Sequence, residues 1–220
     1  MTVIQNLWRS TIGKKVVMAL TGLIGIGFVI AHVASNLTVF KGGQHVDDYA
    51  KFLRTLGPLL WVARGVLIAA VILHVIAAVQ LFGRARKARP VDYREREPQV
   101  STLASRSMRW GGAILVAFIV FHLADLTWGW VNPGFVHLAP ARNMTASLTR
   151  WPVALFYLVA MLSLGLHIWH GAWSSMRTLG AARPSADPLR RVLPILLAVV
   201  IAGGFAAIPL AYLFGFLPRS

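Results

Sequence analysis

Cysteine is absent from the 220-residue chain. That removes disulfides, thiolate-ligated iron, cysteine-held iron–sulfur clusters and covalent c-type haem from the chemistry open to it. Acidic residues are scarce, with 7 Asp and Glu against 22 Lys and Arg, for a formal net charge of +15. In a soluble chain that excess would point to nucleic acid. Here no basic helix or aromatic stacking surface stands apart from the apolar stretches, so no nucleic-acid partner is expected. Charge of either sign is also rare overall, at 13% of residues against 57% hydrophobic. Several apolar runs reach about 20 residues, the length that crosses a hydrocarbon core. A soluble domain would interrupt them with polar residues at helical spacing.

The chain therefore reads as all-α, a single transmembrane domain over 1–220 with five helices at about 16–40, 59–83, 110–130, 152–176 and 192–217. The first run is longer than the apolar part of a cleavable signal and lacks a small-residue cleavage site. Pro58 and Pro152 stand at first-turn positions of the second and fourth spans. Trp61, Trp110, Trp128, Trp130, Trp151 and Trp173 fall near span ends, as an interfacial belt requires. Three basic residues precede span one, eight lie between spans two and three and four between spans four and five, fifteen on one side; the other side carries seven. This bias predicts a cytoplasmic N-terminus, a C-terminus outside and a multi-pass protein of the cytoplasmic (inner) membrane. No long extramembrane domain is left, so chemistry must occur within the membrane or through a partner.

Five of seven histidines, His32, His74, His122, His167 and His170, fall inside these spans. An intramembrane ionisable residue is costly and usually has a task or a partner. One alone reads equally well as a hydrogen-bonded packing residue. Four consecutive spans each carrying at least one do not. His74 lies 10 residues before Arg84 and His167 10 before Arg177, so both are expected at one depth, about 15 Å from the cytoplasmic edge. His32 is 17 residues past Lys15 and His122 is 13 past Arg109, which places them deeper and less closely matched. The set sorts into an inner pair, His74 with His167, and an outer pair, His32 with His122. Two neutral imidazoles facing across a bundle are the axial set of a six-coordinate haem iron, suited to electron transfer rather than oxygen binding. Zinc would need further ligands beside each pair, and no intramembrane cysteine or glutamate supplies them. His170 is better placed for a haem propionate, a quinone or the interface than for the iron. His45 and His137 lie in outer loops and read as solvated. Gly22, Gly25, Gly27, Gly111, Gly112, Gly165 and Gly171 suit a porphyrin's approach or close helix packing equally.

The segment Gly13-Lys-Lys-Val-Val-Met-Ala-Leu-Thr-Gly22, with His32 and Asn36 beyond it, resembles the cytochrome b membrane anchor of succinate dehydrogenases and fumarate reductases. His74, Phe121-His122-Leu123 and His167-Ile-Trp-His-Gly171, followed by Trp173, Ser174 and Leu179-Gly180, extend the likeness over essentially the whole chain. It is to the single-chain, five-helix, two-haem branch of that family. The resemblance implies two haem b groups and a flavoprotein and an iron–sulfur subunit on the cytoplasmic face. It also implies electron passage between that iron–sulfur subunit and a membrane quinone, usually menaquinone in this branch. Succinate oxidation, a step of the tricarboxylic acid cycle, would belong to the flavoprotein. The family's pattern of a ligand histidine four residues before glycine falls on His167. Some fumarate-reducing relatives carry a glutamate two residues before that ligand as part of a proton path; here Gly165 stands there. Lys15, Arg109 and Arg177 inside, Arg64 and Arg150 outside, and His170 are candidate propionate contacts, each also explicable by topology or the interface. Asp125, Asp47 and Asp48 are candidates for quinone and proton chemistry, against an ion pair such as Asp125 with Arg150, or plain solvation. Two other readings fit an apolar bundle with histidines: the cytochrome b of a formate dehydrogenase or hydrogenase, without the first-span pattern, and a proton-coupled transporter, which should show repeats and broken helices.

Overall fold

The computed structural model describes residue 5 and residues 8–88, 103–181 and 188–218, with no side chains described for 188–190. Arg89, Arg94, Arg96, Arg183 and Arg219, and the Arg190 side chain, counted above for orientation, lie outside these. The described chain is all-α. Helix α1 spans Thr11–Asn36 and runs on as a 3-10 turn, Leu37–Lys41; α2 is Gly43–Thr55, α3 Pro58–Lys87, α4 Leu103–Leu126, α5 Pro140–Leu148, α6 Trp151–Thr178 and α7 Pro188–Leu213. Five helices (α1, α3, α4, α6 and α7) are long and apolar enough to cross a membrane. The protein is a five-helix membrane bundle.

Local chemistry explains where these helices begin and end. Ser10 caps α1 by accepting a bond from the Gly13 amide at 2.8 Å. Gly57, at φ 53°, turns the chain into α3, and Pro58 occupies its first turn. Leu213 ends α7 four residues short of the sequence expectation. There Gly215 adopts φ 75°, the Phe216 amide bonds the Ala211 carbonyl and the Gly215 amide bonds that of Tyr212. This is the glycine-terminated helix end, and its bonds satisfy carbonyls that the helix leaves free. The same device closes α6 at Gly180, φ 74°, with Ala181 bonded to Met176 and Gly180 to Arg177. Helix α4 stops at Leu126, before the expected Trp130, where the Trp128 and Trp130 amides fold back onto Leu123 and Ala124 carbonyls.

Helix α6 is the hub: it packs along α7, α4 and α1, while α3 lies along α1. Its buried positions, among them Ala154, Tyr157, Ala160, Met161, Ile168 and Ala172, recur at helical spacing, and the alanines let neighbouring backbones approach. Gly165 serves the same purpose, since a Cβ there would stand 3.1 Å from the Ala202 Cβ on α7. By contrast α3 leaves Leu59, Val62 and Val66 exposed on one side and Ile68, Ile72 and Val79 on the opposite side, a broad surface for lipid tails. At one end the bundle is covered by the 3-10 turn, α2 and α5. Val39, Val46, Met144, Leu148, Tyr157, Ile208, Tyr212 and Leu217 form one apolar cluster there. We call this the capped end and the other the N-terminal end. The sequence reading treats α2 and α5 as loops; both are too short and polar to span, and only the cap's tertiary contacts bury them.

Candidate cofactor site: two histidine pairs across the bundle

The spans bring four histidines together in two pairs. His74 on α3 faces His167 on α6, with ring centroids 6.0 Å apart and planes inclined at 57°. His32 on α1 faces His122 on α4, also at 6.0 Å, with planes at 86°. Neither α3 with α6 nor α1 with α4 is a close-packed helix pair among the described residues. The histidines thus meet across helices whose backbones stay apart.

Two internal rulers give the axial spacing of the pairs. The His74 ring lies against α1 at Met18, Thr21 and Gly22, and His32 lies ten residues beyond Gly22 on that helix. The His122 ring touches Tyr157 of α6, ten residues before His167. Ten helical residues rise about 15 Å, so both helices place the pairs at two levels roughly that far apart. The His74/His167 pair sits toward the N-terminal end and the His32/His122 pair toward the cap.

Each level orients its rings differently. His74 Nδ1 lies 3.1 Å from the Met18 carbonyl and 3.2 Å from the Thr21 hydroxyl. A carbonyl only accepts, so Nδ1 carries the proton and the lone pair falls on Nε2. Gly22 makes this approach possible, since a Cβ there would stand 3.3 Å from His74 Cε1. His167 Nδ1, by contrast, is buried without any hydrogen-bond partner.

At the capped level, His122 Nδ1 lies 3.2 Å from the Tyr157 hydroxyl, which donates to Asp125 at 3.0 Å. Asp125 is fully buried, accepts from the Ser147 hydroxyl and pairs with the Arg150 guanidinium at 3.0 Å. Because the Tyr157 proton points to the carboxylate, its oxygen accepts from His122, whose proton is thereby placed on Nδ1 and whose lone pair falls on Nε2. His32 is stacked by Phe28 at 5.2 Å and flanked by Phe205 at 5.7 Å. Its Nε2 meets the Asn36 amide at 3.4 Å, the long limit of a hydrogen bond.

The pairs can be tested against the group that the sequence suggests. A metal–imidazole bond is about 2 Å and a ring nitrogen lies about 1 Å from its own centroid, so two imidazoles on opposite sides of one metal have centroids about 6 Å apart. Both pairs have that separation. The tautomers fixed on His74 and His122 leave the remote nitrogen free to ligate, as metal-bound histidines require. Gly25, Gly27, Gly112 and Gly171 have nothing within 4 Å of a built Cβ, whereas Gly165 is used for packing. The donor set and spacing fit an axially ligated haem. Among the described residues no three His, Cys, Asp or Glu are grouped to hold a metal ion, so neither pair gains the further protein ligands of a tetrahedral zinc site.

The remaining candidates fall into different places. The ring facing His74 is that of His167, not His170, which is partly exposed. Lys15, Arg109 and Arg177 are exposed, and the Arg64 guanidinium sits 5.0 Å from the Trp61 ring centre. Arg150 is committed to Asp125, the Val131 carbonyl at 3.0 Å and the Ala146 carbonyl at 3.2 Å. Asp47 accepts the Ala141 amide at 3.0 Å and so secures the start of α5. Asp48 is exposed, and bonds from Lys51 and Gln44 hold its carboxyl below the usual range. A cavity of about 690 Å³ lies within the cap, lined by Gly42, Gly43, Arg142, Thr145, Thr149 and Tyr212 among others. Tyr157, Ser147 and Thr21 are site residues that sequence reasoning missed. The one signal for Tyr157 is its place ten residues before His167, the interval that separates the two levels. No protein-family model, curated protein or solved structure matches the chain.

Proposed function

We propose that this chain is the dihaem b membrane anchor of a succinate:quinone oxidoreductase, linking an iron–sulfur subunit to a membrane quinone. The observation that supports a two-haem reading is the pair of histidine couples, each with the separation of a bis-axial set, at two levels of one bundle. The assignment to succinate and menaquinone rests on the sequence resemblance, and the side of the membrane on the distribution of Lys and Arg. On that reading the N-terminal end faces the cytoplasm, where the flavoprotein and iron–sulfur subunits would dock, and the cap lies outside.

A haem held at each pair would supply one-electron transfer. His74 and His167 would hold the inner group, and His32 and His122 the outer one. The Met18 carbonyl and Tyr157 hydroxyl keep the ligand tautomers, and the apolar spans keep water away. The cap cavity offers space for a quinone head group, with the Arg142 guanidinium as a donor; the Thr145 and Tyr212 hydroxyls in its wall are bonded to each other and to the Ala141 carbonyl.

A reduced-minus-oxidised visible spectrum and a haem determination on the chain purified from its native membrane with whatever subunits accompany it test the reading. Two b-type haems per chain are expected, with succinate-dependent reduction in complexes retaining the partner subunits. A preparation with no b-type band would overturn it. Haem without any co-isolating flavoprotein would favour the formate dehydrogenase or hydrogenase type.

A further inference from the structure

The least ordinary feature of the molecule is the fully buried carboxylate of Asp125, for which the ligand assignment itself has no use. It stands three residues after His122 on α4, yet reaches that ring only through a residue of another helix. Its two oxygens have separate tasks. One faces the Arg150 guanidinium at 3.0 Å; the other takes the hydroxyl protons of Ser147 and Tyr157. Ion pairing to Arg150 alone would account for a structural anchor. It would not account for Tyr157, whose hydroxyl lies between the carboxylate and His122 Nδ1 at 3.0 and 3.2 Å.

We infer that Asp125 is a positioning residue that acts through Tyr157 on His122, fixing its ligating nitrogen and lowering the reduction potential of the iron bound there. This rests on the haem reading above. A carboxylate polarises the hydroxyl that donates to it, which strengthens that oxygen as acceptor for the imidazole N–H, and charge-assisted bonds are the stronger ones. An imidazole whose distal N–H is drawn off in this way is a more basic ligand. A more basic ligand favours the ferric over the ferrous state. Arg150 limits the effect without abolishing it, because its guanidinium is shared with the Val131 and Ala146 carbonyls and a third of its side chain is exposed. Among the described residues no carboxylate bonds the His74/His167 level: His74 leans on a backbone carbonyl and a threonine hydroxyl.

Potentiometric spectra of the intact haem-loaded chain test this with Tyr157→Phe, Asp125→Asn and the double variant. Tyr157→Phe changes no charge and removes one hydroxyl. It should keep both haems and raise the potential of one, by about tenfold in the oxidised-to-reduced ratio, or ~59 mV for one electron. The potential of the His74/His167 iron should stay where it is. Asp125→Asn should raise the same potential, and by less when Phe already replaces Tyr157, since part of its effect travels through that hydroxyl. Two bound haems with an unchanged potential in Tyr157→Phe, or equal Asp125→Asn shifts in both backgrounds, would overturn the inference and leave the haem reading intact. A wild-type chain without haem would remove both. Should Asp125→Asn fail to accumulate, Tyr157→Phe alone decides the matter.

Discussion

The two ends of the bundle hold their histidines by opposite means. Toward the N-terminus, His74 is fixed by the α1 backbone and Thr21, and it nests over the bare Cα of Gly22. Toward the cap, His122 is fixed by a relay of side chains from three helices: Tyr157 on α6, Asp125 on α4, and Ser147 on α5. The backbone solution is compact and neutral. The relay is charged, buried and dependent on the cap. Orienting a ligand therefore costs little at one level, whereas at the other it is coupled to the stability of the extramembrane cover.

That contrast can be broken most sharply at the ligands themselves. On the proposed haem reading, His122→Ala should remove one of two haems and spare the other, and His167→Ala should remove the one that His122→Ala spares, as read by haem content and spectra of each variant. Loss of both haems from either change would mean that the levels are not independent. Next in size is Asp125→Ala, which strands the Arg150 guanidinium. It should lower the stability of the bundle in detergent by about 3 kcal/mol, the low end for a broken buried pair because Arg150 is partly exposed. A thermal melt within one degree of wild type would refute that. At the other end, Gly22→Val should push His74 off its seat at a cost of about 1–3 kcal/mol. If the proposed haem is bound there, its content should fall selectively at the His74/His167 level. Thr21→Val is the mildest, about 1 kcal/mol or less, because the Met18 carbonyl still accepts from His74. If Thr21→Val destabilised the chain as much as Asp125→Ala, the proposed asymmetry between the ends would be gone.

How much of this is legible in the sequence depends on the range of the interaction. Span length and helical rise are local quantities, so the five crossings and the matching depths of His74 and His167 follow from counting residues. The cap does not. Helix α2 carries Asp47, Asp48, Lys51 and Arg54, and its short apolar face has nothing in the sequence to name its partner until Val46 joins the cap cluster. Asp125 with Arg150 is legible as a pair because two opposite charges stand near the ends of successive spans. Tyr157 is not, since a tyrosine in an apolar run looks like packing until His122, 35 residues away, is brought against it. The seven glycines read as equivalent in sequence and separate only in three dimensions: Gly22 seats a ring, Gly165 seats a helix, Gly111 lies at ordinary contact distance from Ser163, and Gly25, Gly27, Gly112 and Gly171 face open space.

The ten-residue interval between Tyr157 and His167 also has an electrical meaning. About 15 Å is half of a hydrocarbon core about 30 Å thick, so a charge passing between the two levels crosses about half of the transmembrane voltage. At 100 mV that would be about 1.2 kcal/mol for each electron moved on the proposed haem reading. The direction of the field would then help or hinder transfer along the bundle, and α6, by its length alone, sets how strongly.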